Sequence, residues 1–180
     1  VLPSIVSYGA AISSCENCWQ WEQALCLFEE MHGMDITANL VCYNALISCC
    51  EKASEWQKAL QLLQQMALFV PGKSLKVLKI QHLTPDVITY NGVISSCEKA
   101  SEWQLALSLL IQMTVATIRR SIITYSATVS ACEKASQWQM ALHLLKQMHE
   151  VQLNPDITAF NAAIGACHKA ILMAAGALGP

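Results

Sequence analysis

One spacing governs what this chain can fold into. Cys15, Cys50, Cys97, Cys132 and Cys167 stand 35, 47, 35 and 35 residues apart. Trp21, Trp56, Trp103 and Trp138 keep the same steps, as do Met31, Met66, Met113 and Met148. The segments GAAISSCENCWQWEQAL, NALISCCEKASEWQKAL, NGVISSCEKASEWQLAL and SATVSACEKASQWQMAL align around them. The period is therefore 35, with one 12-residue insertion after Met66. Such a period marks a repeat array, whose units bury their apolar faces only against neighbours.

Within a unit the apolar residues recur at helical spacing. Tyr90, Val93, Ile94, Cys97 and Ala100 fall on one face. Trp103, Ala106, Leu107, Leu110 and Met113 form a second. Between them, Ser101 with Gln104 reads as a capping box that starts the second helix, repeated at Ser54/Gln57 and Ser136/Gln139. Pro85-Asp86 and Pro155-Asp156 then break the chain and open the next hairpin. Each Trp is expected to plug the seam between its two helices, so truncation to Ala would cost roughly 3–5 kcal/mol. The units are placed at 5–39, 40–86 (with the insertion at about 67–84), 87–121 and 122–156, and a partial fifth at 157–180. The last lacks the Ser, Trp and Gln of a second helix after Ile171, which reads as a truncated or divergent end. The expected fold is an all-α solenoid, a right-handed superhelix of antiparallel helix-turn-helix repeats around a concave groove.

Composition narrows the class. Apolar residues make up 54% and charged residues 13%, which excludes a disordered chain. The charge-free stretches Ile36–Cys50 and Trp103–Ile118 are shorter than ~18 residues and carry Asn, Ser or Gln. They read as helices buried on more than one side, and no membrane partner is expected. Nine Cys, five at one helical position, suggest buried thiols in a reducing compartment. No signal peptide is visible, and the start at Val1 leaves room for a targeting segment outside this sequence.

Each unit opens with a variant of V-x-Y-N-x-L-I-x-x-C, as in Val41-Cys42-Tyr43-Asn44-Ala45-Leu46-Ile47, and each full unit ends near E-M or Q-M. On these motifs, over about 150 residues, the chain resembles the pentatricopeptide repeat family. The resemblance implies sequence-specific binding of single-stranded RNA, one base per repeat, in a chloroplast or mitochondrion. In the family the fifth and last residues of a repeat read the base. Carried over, these are Gly9 with Asn39, Asn44 with Asp86, Asn91 with Ser121, and Ser126 with Asp156, and Asn161 in the last unit. By the family's code they imply a 5′-A-U-C-G-3′ core followed by a pyrimidine. Gly9 departs from the usual choices, and the insertion lies between Asn44 and Asp86. Second-position residues, which wedge between bases, are Val6, Val41, Ile88, Ile123 and Thr158. The thirteenth-position lysines Lys52, Lys99, Lys134 and Lys169 would meet phosphate, with Asn17 in the first unit instead. Four such contacts predict a salt slope near about −3, at ~0.7 per charge.

Plainer readings stand beside these. Asp86 and Asp156 sit where Asp caps a helix. Asn44, Asn91 and Asn161 could be solvated polar positions. Cys15-x-x-Cys18 and Cys49-Cys50 lack the second pair that zinc would need, and core packing is favoured. His143 and His149 are not on one face and read as surface residues. Lys73, Lys76 and Lys79 in the insertion suggest either a tolerated loop or a basic flap. No catalytic set or phosphate loop is evident, so neither an enzyme, a cofactor nor a small-molecule substrate is expected. The leading expectation is an RNA-binding repeat protein in organellar RNA processing, editing or stabilisation, acting with RNA-processing proteins. The net charge of −2 and pI near 6.2 support the alternative, a protein-interaction scaffold of the same fold.

Overall fold

The computed structural model describes residues 4–17, 20–67 and 83–176, and these form helices with no strand among them. The helices are α1 (Ile5–Asn17), α2 (Trp21–Gly33), α3 (Leu40–Lys52), α4 (Trp56–Ala67), α5 (Val87–Lys99), α6 (Trp103–Val115), α7 (Ile122–Lys134), α8 (Trp138–Glu150) and α9 (Ile157–Gly176). The fold is an all-α solenoid type, as the period requires. The insertion, with Lys73, Lys76 and Lys79, lies outside the described residues apart from its edges. The chain divides into two compact units, 1–96 and 97–180.

In the first unit α1 packs on α2 and α3, α2 on α3, and α3 on α4. Buried on α3 are Cys42, Tyr43, Ala45, Leu46, Ile47, Cys49 and Cys50. These cover more than one side of the helix, as the charge-free stretch suggested. Phe28 meets Tyr43 edge-on at 5.0 Å, a favoured aromatic geometry. In the second unit α7 packs on α6, α8 and α9, and α8 on α9. Its core joins Leu110, Tyr125, Val129, Cys132, Leu144 and Met148 to an alanine face of α9. Here the other charge-free stretch differs from expectation. Ala106, Leu109, Leu110 and Met113 are buried, but Ile111 and Val115 are exposed, so α6 buries one face only.

The capping boxes expected at Ser54/Gln57, Ser101/Gln104 and Ser136/Gln139 do not form. Each Ser ends the helix before it. Ser54, Ser101 and Ser136 have φ of 62°, 62° and 58°. Their N–H groups donate to the carbonyls of Glu51, Glu98 and Glu133, and the next residues donate to those of Cys50, Cys97 and Cys132. That is the Schellman pattern, with Ser in the place usually taken by Gly. The N-cap residues of α6 and α8 are Glu102 and Gln137, neither with a side-chain cap bond. The Trp expectation holds only in part, since Trp103 packs against the second unit's core without being enclosed in it. Trp21, Trp56 and Trp103 are half-buried and Trp138 is 40% exposed. As the first residue of each second helix, the Trp lies at the mouth of the seam, while Ala, Leu and Met residues fill it.

α9 breaks the pattern for a local reason. In the second, third and fourth units the thirteenth residue is followed by Ala and then the left-handed Ser. Here Ala170 is followed by Ile171, whose branched Cβ disfavours positive φ. The helix therefore runs on to Gly176. Among the described residues it alone is long and apolar enough to cross a membrane, with mean hydropathy 1.3 over Ile157–Ala175. Sequence reading missed this because Lys169 interrupts the stretch. Ala159, Ala162, Ala163 and Ala166 on this helix are buried in the second unit's core.

Candidate nucleic-acid interface

The turns that open α3, α5, α7 and α9 are shaped by a side chain three residues before an unpaired helical N–H. Asn39 caps α3 by accepting from the Cys42 N–H at 3.0 Å. Asp86 Oδ1 accepts from the Thr89 N–H at 2.8 Å, and Asp156 Oδ1 from the Ala159 N–H at 2.9 Å. Ser121 caps α7 in a full capping box with Thr124. The capping reading of Asp86 and Asp156 is thus correct, and Asn39 and Ser121 do the same.

Two of the sequence-derived pairs meet directly. The Asn44 amide donates to Asp86 Oδ1 at 3.4 Å, and the Ser126 hydroxyl donates to Asp156 Oδ1 at 2.8 Å. Each pair joins the first helical turn of one unit to the cap of the next. Burial pushes the Asp86 carboxyl up, but hydrogen bonds from Thr89 and Asn44 outweigh it and hold the group below its usual 3.8. Asp156 is lowered chiefly by the Thr158 hydroxyl, against some burial, with help from Ala159 and Ser126. Both carboxylates are therefore ionised at neutral pH. Gly9 brings no side chain to such a pair. A Cβ on Gly9 would face Cys42 Sγ at 3.7 Å. Asn91 is half-buried on α5 in the first unit, Ser121 lies in the second, and Asn161 is exposed on α9.

Beside these polar pairs stand apolar residues that face water. Val6, Val41, Ile88 and Ile123 are 76%, 64%, 62% and 65% exposed, and Thr158 is exposed too. Each is the second residue of its unit.

The lysines are differently placed from a free phosphate row. Lys52 pairs with Glu16 at 3.0 Å, Lys134 with Glu98 at 3.1 Å and Lys169 with Glu133 at 3.0 Å. Lys169 also donates to the Glu133 carbonyl at 3.3 Å. Lys99 is exposed at the end of α5 and has an interaction of its own. Burial raises the Glu16 carboxyl, but the Ser48 hydroxyl and Lys52 lower it further, for a net fall.

Family models match along the chain. The PPR repeat family matches residues 3–50, the PPR repeat matches 41–68 and 88–116, and the pentatricopeptide repeat domain matches 108–170. The chain belongs to the pentatricopeptide repeat family. Among solved structures it resembles the pentatricopeptide repeat protein PPR10 from maize, with 21% identity and a TM-score of 0.79 over 98% of this chain and 24% of that one. PPR10 in complex with an 18-nt psaJ RNA element matches at 21% identity and 0.75, over 94% and 23%. The PPR domain of Arabidopsis thaliana protein-only RNase P 1, in complex with tRNA, matches at 16% identity and 0.72, over 91% and 80%. At these identities the likeness is one of fold. The chain spans about a quarter of the length of PPR10. Comparison with curated proteins found no match.

Sequence reading missed two groups in this pentatricopeptide repeat chain. Thr89, fully buried, donates from its hydroxyl to Asn44 Oδ1 and lies within reach of Asp86. Asp86 was read as a cap, but the threonine of its D-x-x-T spacing, which completes the capping box, was not named. Glu16, Glu98 and Glu133 each precede their lysine by one period plus one residue, a spacing visible only once the units are stacked. The buried Cys50, Cys97 and Cys132 fit the packing reading, whereas Cys15 and Cys167 are only half-buried. Cys18 lies outside the described residues, and no cluster of metal-binding side chains occurs among those described. His143 and His149 are exposed. A cavity of about 400 Å³ lined by Phe28, His32, Tyr43 and Leu62 lies apart from the paired residues.

Proposed function

We propose that the chain binds single-stranded RNA in a sequence-selective way, one base per repeat, with a 5′-A-U-C-G-3′ core. The observation that carries this is the alternation of bonded polar pairs with exposed branched apolar residues. Half-buried Asn44 bonds half-buried Asp86, and buried Ser126 bonds exposed Asp156, each across two hairpins. Val41, Ile88 and Ile123 stand open to solvent nearby in sequence, where an isolated protein gains nothing from exposing them. Recurrent exposed apolar side chains mark a ligand surface. A stacked base covers such a wedge, and Asn, Ser and Asp can bond its Watson–Crick edge. The cap uses Asp86 Oδ1, and the second carboxylate oxygen is the atom assigned to the base.

The reading extends to RNA processing, editing or stabilisation in a chloroplast or mitochondrion, with processing proteins as further partners, and assigns no catalysis to this chain. A scaffold that binds protein instead is favoured by one observation, the neutralised lysines Lys52, Lys134 and Lys169. Filter binding with RNA containing AUCG, against a scrambled control, separates the two. Preference for AUCG supports the RNA reading. Equal binding of both, or none at low salt, leaves the scaffold.

A further inference from the structure

An asparagine is by itself a poor judge between pyrimidines. Its amide carries two N–H donors at one end and an acceptor at the other. Uracil presents an acceptor at O4 and a donor at N3–H, and cytosine presents the reverse. A freely turning amide satisfies either base by rotating half a turn. Selectivity therefore depends on what holds the amide.

At Asn44 the structure holds it at both ends. Nδ2 donates to Asp86 Oδ1 at 3.4 Å, and Oδ1 accepts from the Thr89 hydroxyl at 2.7 Å. The hydroxyl oxygen already accepts the Asp86 N–H at 3.2 Å, and its single hydrogen is shared between Asn44 Oδ1 at 2.7 Å and Asp86 Oδ1 at 2.8 Å. The Asp86 carboxylate is in turn fixed by the Thr89 N–H at 2.8 Å. A turned amide would set its carbonyl against an ionised carboxylate. It would also leave Thr89 without an acceptor on Asn44. Thr89 is fully buried, so no water replaces the Asn44 oxygen, and its hydroxyl is left with Asp86 Oδ1, 2.8 Å away, as its acceptor.

We propose that Thr89, the third residue of the unit that follows, is a positioning residue for base selection. It holds Asn44 so that the outer Nδ2–H is offered to position 4 of the base, where uracil carries an accepting oxygen and cytosine a donating amino group. The ring of three side chains acts as a preset reader. The Ser126 pair has no such lock, because the equivalent residue is Ala159. This assignment rests on the RNA reading above.

The test uses the full chain and two RNAs that differ only by U or C under the Asn44 pair. The unmodified chain should prefer U by roughly tenfold, the worth of about one well-placed hydrogen bond. Thr89→Ser keeps the hydroxyl and should keep the ratio. Thr89→Val keeps the shape and should bring the ratio toward one, with the preference at the base under Ser126 and Asp156 unmoved. A change confined to one base ratio is not what simple destabilisation produces. Nuclear magnetic resonance of the unmodified chain adds a reading free of any variant. The Asn44 side chain should hold a single setting about its Cβ–Cγ bond, and averaging between the two amide orientations overturns the assignment. An unchanged U-to-C ratio in Thr89→Val overturns it too. If the unmodified chain does not discriminate bases at all, the RNA reading falls, and this inference with it.

Discussion

Non-glycine residues in left-handed backbone close the helices at recurring points. Thr117 is the most costly of them, with φ 57° on a β-branched residue. Its N–H and that of Ile118 complete a Schellman turn at the end of α6, so the conformation is imposed by the helix end. Replacing it with Gly removes that strain at some cost in unfolded-chain freedom. Thr117→Gly should raise stability by about 0.5–1 kcal/mol in urea unfolding, and Ser136→Gly by less. The buried thiols give a second expectation at this scale. Burial, joined by Glu16 and other neighbours at Cys49 and by Glu102 at Cys97, pushes both thiols from 9.0 to about 12. Burial takes Cys132 to about 11. A folded state that holds its protons longer than the unfolded one loses stability as pH rises. The thiol contribution to unfolding free energy should therefore be steady from neutral pH to pH 9 and fall between pH 9 and pH 12, as followed by denaturant titration. Exposed Cys26 should react with a thiol reagent before any buried one. The αL residues illustrate what a sequence hides. Ser before a Trp-Gln helix start looks like a cap, and only the sign of φ shows that it belongs to the helix before.

Between elements the recurring link is a glutamate of one hairpin clamping the lysine of the next. The pairs are partly exposed, so each contributes little to stability, on the order of 0.2–1 kcal/mol. Their effect on ligand binding is more direct, because a phosphate must displace the carboxylate before it can use the lysine. Glu98→Gln with Glu133→Gln should cost no more than about 1 kcal/mol of stability per site. On the RNA reading the double variant should tighten binding by roughly two- to fivefold per freed lysine and steepen the salt dependence. Unaltered affinity with a flat salt response would show that these lysines serve the fold alone. α9 tests the helix-end argument from the other direction. Ile171→Gly supplies the residue that tolerates positive φ, and the helix should end near Ala170. Backbone chemical shifts of residues 171–176 should then lose their helical values. These element-level links were half legible. The period announced which residues share a rung, but not that rungs are offset by one residue between Glu and Lys.

For the whole molecule the consequence of a repeat array is modularity. If each pair serves one base, an altered pair should move one base preference and leave the rest. Ser126→Asn beside Asp156 reproduces the Asn44 and Asp86 combination, without the threonine. By the family's code it should shift the preferred fourth base from G toward U, by roughly tenfold in a competition of four RNAs. U and C should then be separated less well there than at the second base, because Ala159 offers no hydroxyl. A shift at every base at once would count against one-base-per-repeat reading.

The amino-acid sequence alone determined the period, the helix pairs, the apolar faces and the second-position residues that end up exposed. Those features depend on neighbours three, four and seven residues apart, and backbone geometry fixes such spacings. What the tertiary structure decided were contacts between residues 30 to 45 apart, such as Ser126 with Asp156, Lys169 with Glu133 and Thr89 with Asn44. Their partners are set by how far one helix is shifted along the next, and that shift follows from packing Ala, Leu and Met in the seam. No local pattern records it. For the same reason Trp138, apolar and regularly spaced, looked like core but stands at the mouth of its seam, 40% exposed.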